Sequence, residues 1–274
     1  MTYDATETSR HEGSPVELYE FSQGSTLWQW TSAAVEQISG SSIYEPIFIS
    51  RNEINQSQED HAGNIEVLVP RDNAIAALFV PYVPTVPIGL TIRRRHRLDG
   101  DDETVIAFVG TVLSARYLSG ESRWALTCGP ISEAFRRTIP LALYQKQCNK
   151  ALYSPECGAN QETFKRTATV TGVDGFDVTS DDFISTENPD GWFNNGWAQK
   201  LQDPNDRRWI INHVGDRITL MNPFTSLDVN DVLEVFPGCQ RTEEVCRVKF
   251  DRLPEHLGFP RIPEKNPFNS SIEY

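Results

Sequence analysis

The chain has 274 residues, 39% of them hydrophobic, which is enough apolar material for more than one core and exceeds the roughly 100–200 residues of a usual domain. Its net charge of -13 excludes a nucleic-acid groove over most of the surface, because phosphate affinity comes from clustered Lys and Arg that release counterions. Seventeen glycines, 17 prolines and 14 phenylalanines against two methionines describe short strands and many turns, so the class is mainly β.

In chain order, residues 1–14 are polar and lack the charged and apolar regions of a secretory signal. They are expected to form a flexible N-terminal arm. No run of about eighteen apolar residues occurs, so no membrane segment is expected, and the chain should be made in the cytoplasm. From Val16 short β-type runs recur: VELYEF, LWQW, IYEPIFIS, IEVLVP, IGLTIRRRHRL, TVIAFVGTVLSARYL and RWALTCGP. Ile65, Val67 and Val69 alternate with other residues, which puts one face of that strand on a core. The expected form is a barrel or sandwich over residues 15–138. Within it, RDNAIAALFVPYVPT starts as a short helix capped by Asp72 or Asn73 and stops at Pro81. The basic run Arg93 to Arg97 lies in an alternating strand, which favours a solvated edge or salt-bridged contact over a phosphate site.

After Pro130 the character changes, and ISEAFRRTIPLALYQKQC reads as a helical or irregular connection that leads into a domain boundary. A second β block follows from Thr167 to Phe236, with Gly215-Asp216 as a hairpin turn. The Pro-rich tail from Leu253 has no periodicity and suits an extended path over a surface or partner. Charge runs at Asp99 to Glu103 and Ser180 to Asp182 fit solvated loops. Trp192, Phe193 and Trp197 in GWFNNGW fit aromatic packing better than a sugar or peptide platform.

The five cysteines pose the main chemical question. Cys148 and Cys157 are separated by eight residues, Cys239 and Cys246 by six, and about eighty residues lie between the two pairs. Neither pair has the C-x2-C to C-x4-C spacing of a zinc knuckle, whereas a four-iron cluster is larger and can be served by longer loops. Spacing alone leaves buried unrelated thiols, a metal or cluster site, and disulfides open; the last is disfavoured in a cytosolic chain with an odd cysteine count. Convergence of both pairs on one centre would hold together the ends of the β block between them. Cys128, on one strand face with Trp124 and Leu126, reads as a spectator. No H-E-x-x-H, G-x-S-x-G, Walker or dinucleotide motif occurs, and His11, His61, His96, His213 and His256 are scattered, so an enzyme is not expected. His213 in WIINHVG reads as a strand residue near a turn rather than a base.

The order of motifs carries a resemblance. VELYEF, YEPIFISRNEI and IEVLVPRDN are followed by CNKALYSPECG, GDRITLMNPF, FPGCQRTEEVCRVKF and LGFPRIP. In this order the chain resembles, over nearly its whole length, the tail-tip hub family of siphophages, which includes lambda-type tail-tip proteins and the hubs of gene transfer agents. The resemblance implies that Cys148, Cys157, Cys239 and Cys246 bind one 4Fe-4S cluster per chain. It implies a β-barrel-like hub domain at 15–138, an iron-sulfur unit from 139–166 and 237–274, and a small β domain at 167–236 inserted into that unit. The lambda-type link between the cysteine pairs is shorter, so the inserted block is similar to the longer gene-transfer-agent form. The implied function is that of a structural virion protein at the tail tip or baseplate. It would form a homotrimeric ring between the distal tail protein and the central, receptor-binding fibre, with the tape-measure protein as a further neighbour. A negatively charged lumen suits a channel that passes DNA without binding it. The rival readings are an iron-sulfur enzyme and a zinc-stabilised carbohydrate- or protein-binding module. The former lacks a C-x3-C-x2-C pattern and a basic face.

Overall fold

A computed structural model describes residues 7, 14–54, 63–80, 82–96, 103–132, 142–186 and 188–262. Most of the expected arm, His11, His61, Pro81, Arg97, residues 99–102, most of the connection after Pro130 and the end of the tail lie outside them. The chain divides into two compact units, Met1–Arg137 and Thr138–Tyr274.

Among the described residues the first unit has nine strands: β1 (Pro15–Gln23), β2 (Thr26–Thr31), β3 (Gln37–Ser39), β4 (Ser42–Pro46), β5 (Ser50–Arg51), β6 (Ile65–Pro70), β7 (Ile88–His96), β8 (Val105–Leu118) and β9 (Arg123–Pro130). They form one sheet in the order β3-β4-β2-β1-β7-β8-β9-β6-β5. The β1–β2 hairpin pairs Leu18 with Thr31 and Gln23 with Thr26, closing through Gly24 at φ 57°, where a side chain would be strained. In β6, Ile65, Val67 and Val69 are buried and their neighbours are not, as the alternation requires. They pack with Phe21, Leu90, Ile92, Leu126 and Cys128 in the main core. The short helix α1 (Ala74–Leu78) is capped by Asn73, whose Oδ1 accepts from the amides of Ile75 at 3.0 Å and Ala76 at 3.3 Å.

The basic run takes its salt-bridged form. Strand β7 lies inside the sheet, between β1 and β8, so its arginines flank a paired strand rather than an edge. Arg93 bonds Glu20 at 3.1 Å, Arg94 bonds Glu7 at 2.7 Å, and Arg95 donates to the Ile38 carbonyl at 2.7 Å. The Glu20 and Glu7 carboxylates offset positive charge that a phosphate would need.

The second unit carries β10 (Arg166–Thr169), β11 (Gly172–Asp174), β12 (Asp177–Thr179), β13 (Trp197–Lys200), β14 (Arg207–Val214), β15 (Arg217–Leu220) and β16 (Val232–Phe236). Their order is β10-β16-β13-β14-β15-β12-β11. One face buries Ala168, Val178, Ala198, Ile210, Ile218, Leu220, Leu233 and Val235 beneath Phe183 and Phe193. The β14–β15 turn runs through Gly215 at φ 59°, as the hairpin expectation required. Ser180 caps a short 3-10 turn, and Asp182 Oδ2 accepts from the Thr169 amide at 2.9 Å, so this acidic run fixes a turn to a strand. The described residues of the unit also include the short helices α2 (Gln161–Phe164) and α3 (Glu243–Val248).

His213 is a core residue of β14, 1% exposed, edge-on to Phe193 at 4.8 Å and Phe183 at 6.4 Å. Burial holds its pKa below the ordinary value, against the smaller opposing pull of the Gly215 backbone and Asp190. The folded state therefore keeps the ring neutral where the unfolded chain takes up a proton. This contribution to stability is full above pH about 6.5 and is lost as pH falls through the lower folded pKa. Chemical denaturation between pH 7.5 and 5.5 is expected to show a loss of at most about 1.4 kcal/mol per pH unit from this group. His213→Phe should have a flatter profile; an unchanged slope would show that the ring is not responsible.

Candidate metal centre

Cys148, Cys157, Cys239 and Cys246 all line one cavity of about 250 Å³ in the second unit. All four are free thiols. Cys128 lies in the core of the first unit, fully buried, with its thiol donating weakly to the Leu126 carbonyl at 3.7 Å. Burial pushes its pKa up to about 12, which makes it an inert hydrophobe.

Backbone geometry brings the two pairs together. Cys148 donates its amide to the Arg241 carbonyl at 2.8 Å, tying the first cysteine loop to the segment between Cys239 and Cys246. Asn149 adds a second stitch: its amide and Nδ2 donate to the Leu257 carbonyl at 2.9 and 3.0 Å, while its Oδ1 accepts from the Leu143 amide at 3.0 Å. Midway along the loop, Tyr153 adopts φ 63° and sends its hydroxyl to the Pro237 carbonyl at 2.9 Å. Its ring stands edge-on to Trp197 and Phe250. Burial, then the Cys157 and Cys239 sulfurs, keep that phenol protonated.

Cys239 is placed by a close crossing of two chain segments. A Cβ on Gly238 would overlap the backbone of Asn195 and Gly196, and one on Gly196 would meet the Gly238 nitrogen at 2.8 Å. Only glycine at both points lets NNGW lie against FPGC. Cys246 sits on α3, which Thr242 caps by accepting from the Val245 amide at 3.3 Å. Lys249, the C-cap of α3, buries its ammonium between the carbonyls of Trp192 and Gly238, the latter at 2.7 Å, and over the Trp192 ring. Burial pulls its pKa down to about 8, with Cys239 opposing.

Three of the four sulfurs have hydrogen-bond partners. Arg241 N–H donates to Cys239 Sγ at 3.3 Å and Leu257 N–H to Cys148 Sγ at 3.4 Å, while the Cys246 thiol donates to the Arg252 carbonyl at 3.0 Å. Burial raises the Cys239 pKa against the Arg241 amide, and raises Cys246 to about 11, helped by the other sulfurs and Glu255. That mutual influence reflects four thiols grouped around one space. Among the described residues, no three His, Cys, Asp or Glu side chains converge tightly enough to hold a single metal ion.

GWFNNGW is mainly architectural: Phe193 is core, and Trp197 stacks on Phe236 at 4.9 Å. Trp197 also lines the cysteine cavity, as do Trp209, Glu255 and His256. In the sequence alone His256 is one of five scattered histidines and Trp197 fits aromatic packing. For His256 the available signal is its place ten residues after Cys246; Trp197, 42 residues before Cys239, carries no such signal.

Residues 191–266 match a family described as "Phage conserved hypothetical protein BR0599", a span that holds Cys239, Cys246 and both crossing glycines. An uncharacterized protein of Xylella fastidiosa (strain 9a5c) is 26% identical over 165 residues, 56% of this chain; the chain covers only 34% of that protein. A chain from the virion of a native gene transfer agent particle superposes with a TM-score of 0.79 at 16% identity, covering 98% of this chain and 95% of its own. At that identity the likeness establishes a shared fold over the full length of both. The phage-family match and the virion-particle fold agree with the resemblance to phage tail-type structural proteins that the motifs carry.

Proposed function

We propose that this protein is a structural component of a phage-type tail tip, a hub whose β-barrel-like first unit joins a homotrimeric ring. The distal tail protein and central fibre are its neighbours. In the second unit Cys148, Cys157, Cys239 and Cys246 ligate a 4Fe-4S cluster, around which residues 167–236 form an inserted domain. The observation that carries the cluster reading is the meeting of four unpaired cysteines from two distant segments around one cavity. The assembly reading is supported by the full-length fold likeness to a virion chain.

The residues fit a cluster better than a lone ion. Zinc draws four sulfurs to about 2.3 Å from one point. Here the donors surround a space of about 250 Å³ and form no tight group of three. A cluster with four thiolates is anionic and is favoured by N–H donors on its sulfurs and by nearby positive charge. Arg241 and Leu257 amides supply the first, and the Lys249 ammonium supplies the second. Once bound, the cluster supplies iron–sulfur bonds that cross-link the chain ends of the intervening block. The chain's own part is to present the thiols and to hold Gly238 against Asn195.

The virion reading is tested by purifying particles and probing them with an antibody against this chain, with gold labelling to locate it. Label at the tail tip in three copies per particle is the expected result; particles without the chain would remove the hub reading.

A further inference from the structure

We propose that Trp197 and His256 are hydrogen-bond donors to the sulfurs of the group held by the four cysteines, and so set its reduction potential. The inference rests on the cluster reading of the cavity. Both residues line that cavity, and Trp197 Nε1 and His256 Nε2 are each buried without a hydrogen-bond partner among the described residues. A buried polar nitrogen is normally paired, so two orphaned nitrogens on side chains that line one cysteine-bearing cavity point to an acceptor there. Thiolate and sulfide sulfurs are acceptors, and hydrogen bonds to them stabilise the reduced, more negative state.

Each ring is held in place by its surroundings. Trp197 stacks on Phe236 at 4.9 Å, meets Tyr153 edge-on at 5.6 Å, and sits in β13 paired with both β14 and β16. His256 follows the 3-10 turn Leu253–Glu255, its amide donating to Leu253 at 3.1 Å. Gly258 makes room for it: a Cβ there would meet His256 Cε1 at 2.5 Å and the Lys146 carbonyl at 2.6 Å. The adjacent Leu257 amide already donates to Cys148 Sγ, so this segment presents two donors in succession toward the cysteines. Glu255 also lines the cavity with an unpaired oxygen, but a carboxylate accepts and cannot serve a sulfur.

The test uses the full chain purified without oxygen, in wild-type form and as Trp197→Phe, His256→Phe and His256→Gln. Phenylalanine keeps a ring and removes the N–H; glutamine restores an N–H near the Nε2 position. Iron and sulfide per chain, thermal unfolding and spectroelectrochemical midpoint potential are measured on each. Expected are unchanged iron and sulfide in all four, a shift to more negative potential in both Phe variants, and recovery toward wild type in His256→Gln. Unchanged potentials in both Phe variants would overturn the proposal. Loss of iron with retained folding in either would do so too, by making that residue a ligand rather than a donor. Absence of iron from the wild type would instead defeat the cluster reading itself, and this inference with it.

Discussion

Serine at Cys148, Cys157, Cys239 or Cys246 is expected to abolish iron binding and destabilise the second unit, while serine or alanine at Cys128 leaves iron in place. The difference follows from position. The four cavity cysteines come from two segments separated by about eighty residues, so a shared centre acts as a cross-link. In the chain-entropy picture, closing a loop of that length is worth about 4 kcal/mol, held by ligand bonds that one missing sulfur weakens. Cys128, in the core of the first unit, offers only its packing and a weak thiol hydrogen bond. Its replacement should cost about 1 kcal/mol. Iron content and unfolding midpoint for all five single variants check this: full iron in any cavity variant, or iron lost with Cys128→Ser, would mean that the ligand set is wrong.

Alanine at Gly238 is expected to be the most damaging single-methyl change in the second unit, at about 3 kcal/mol. Its Cβ would overlap backbone atoms of Asn195 and Gly196, which cannot rotate away as a flexible side chain could. The crossing would open and carry Cys239 with it, so iron occupancy should fall along with stability. Gly175 supplies the contrast. It stands at φ 59° in the β11–β12 turn with open space around its Cβ direction, so Gly175→Ala meets only the left-handed backbone cost, about 1 kcal/mol, and should leave the metal site intact. Equal losses in the two variants would show that the close crossing does not organise the site.

Much of the fold was legible because its signals are local. The alternation in β6, the Asn73 cap and the Gly215 turn each depend on a few neighbouring residues, and each appears where the pattern put it. The basic run could be read only as far as two alternatives, because the choice rested on Glu20 and Glu7, which lie more than seventy positions away. The candidate site divides in the same way. The four cysteines stood out by type and spacing, but the features that arrange them are long-range contacts between residues with ordinary spacing. Asn149 to Leu257, Tyr153 to Pro237 and Gly196 against Gly238 leave no periodic trace. His256 and Trp197 were visible as residues, yet their unpaired nitrogens exist only once the fold closes the cavity around them.

The most direct test of the central claim is the metal and sulfide content of the wild-type chain, purified without oxygen and quantified for iron, acid-labile sulfide and zinc. Four irons and four sulfides per chain, in a brown protein with little zinc, are predicted. One zinc per chain without sulfide, or no metal with four titratable cavity thiols, would contradict it.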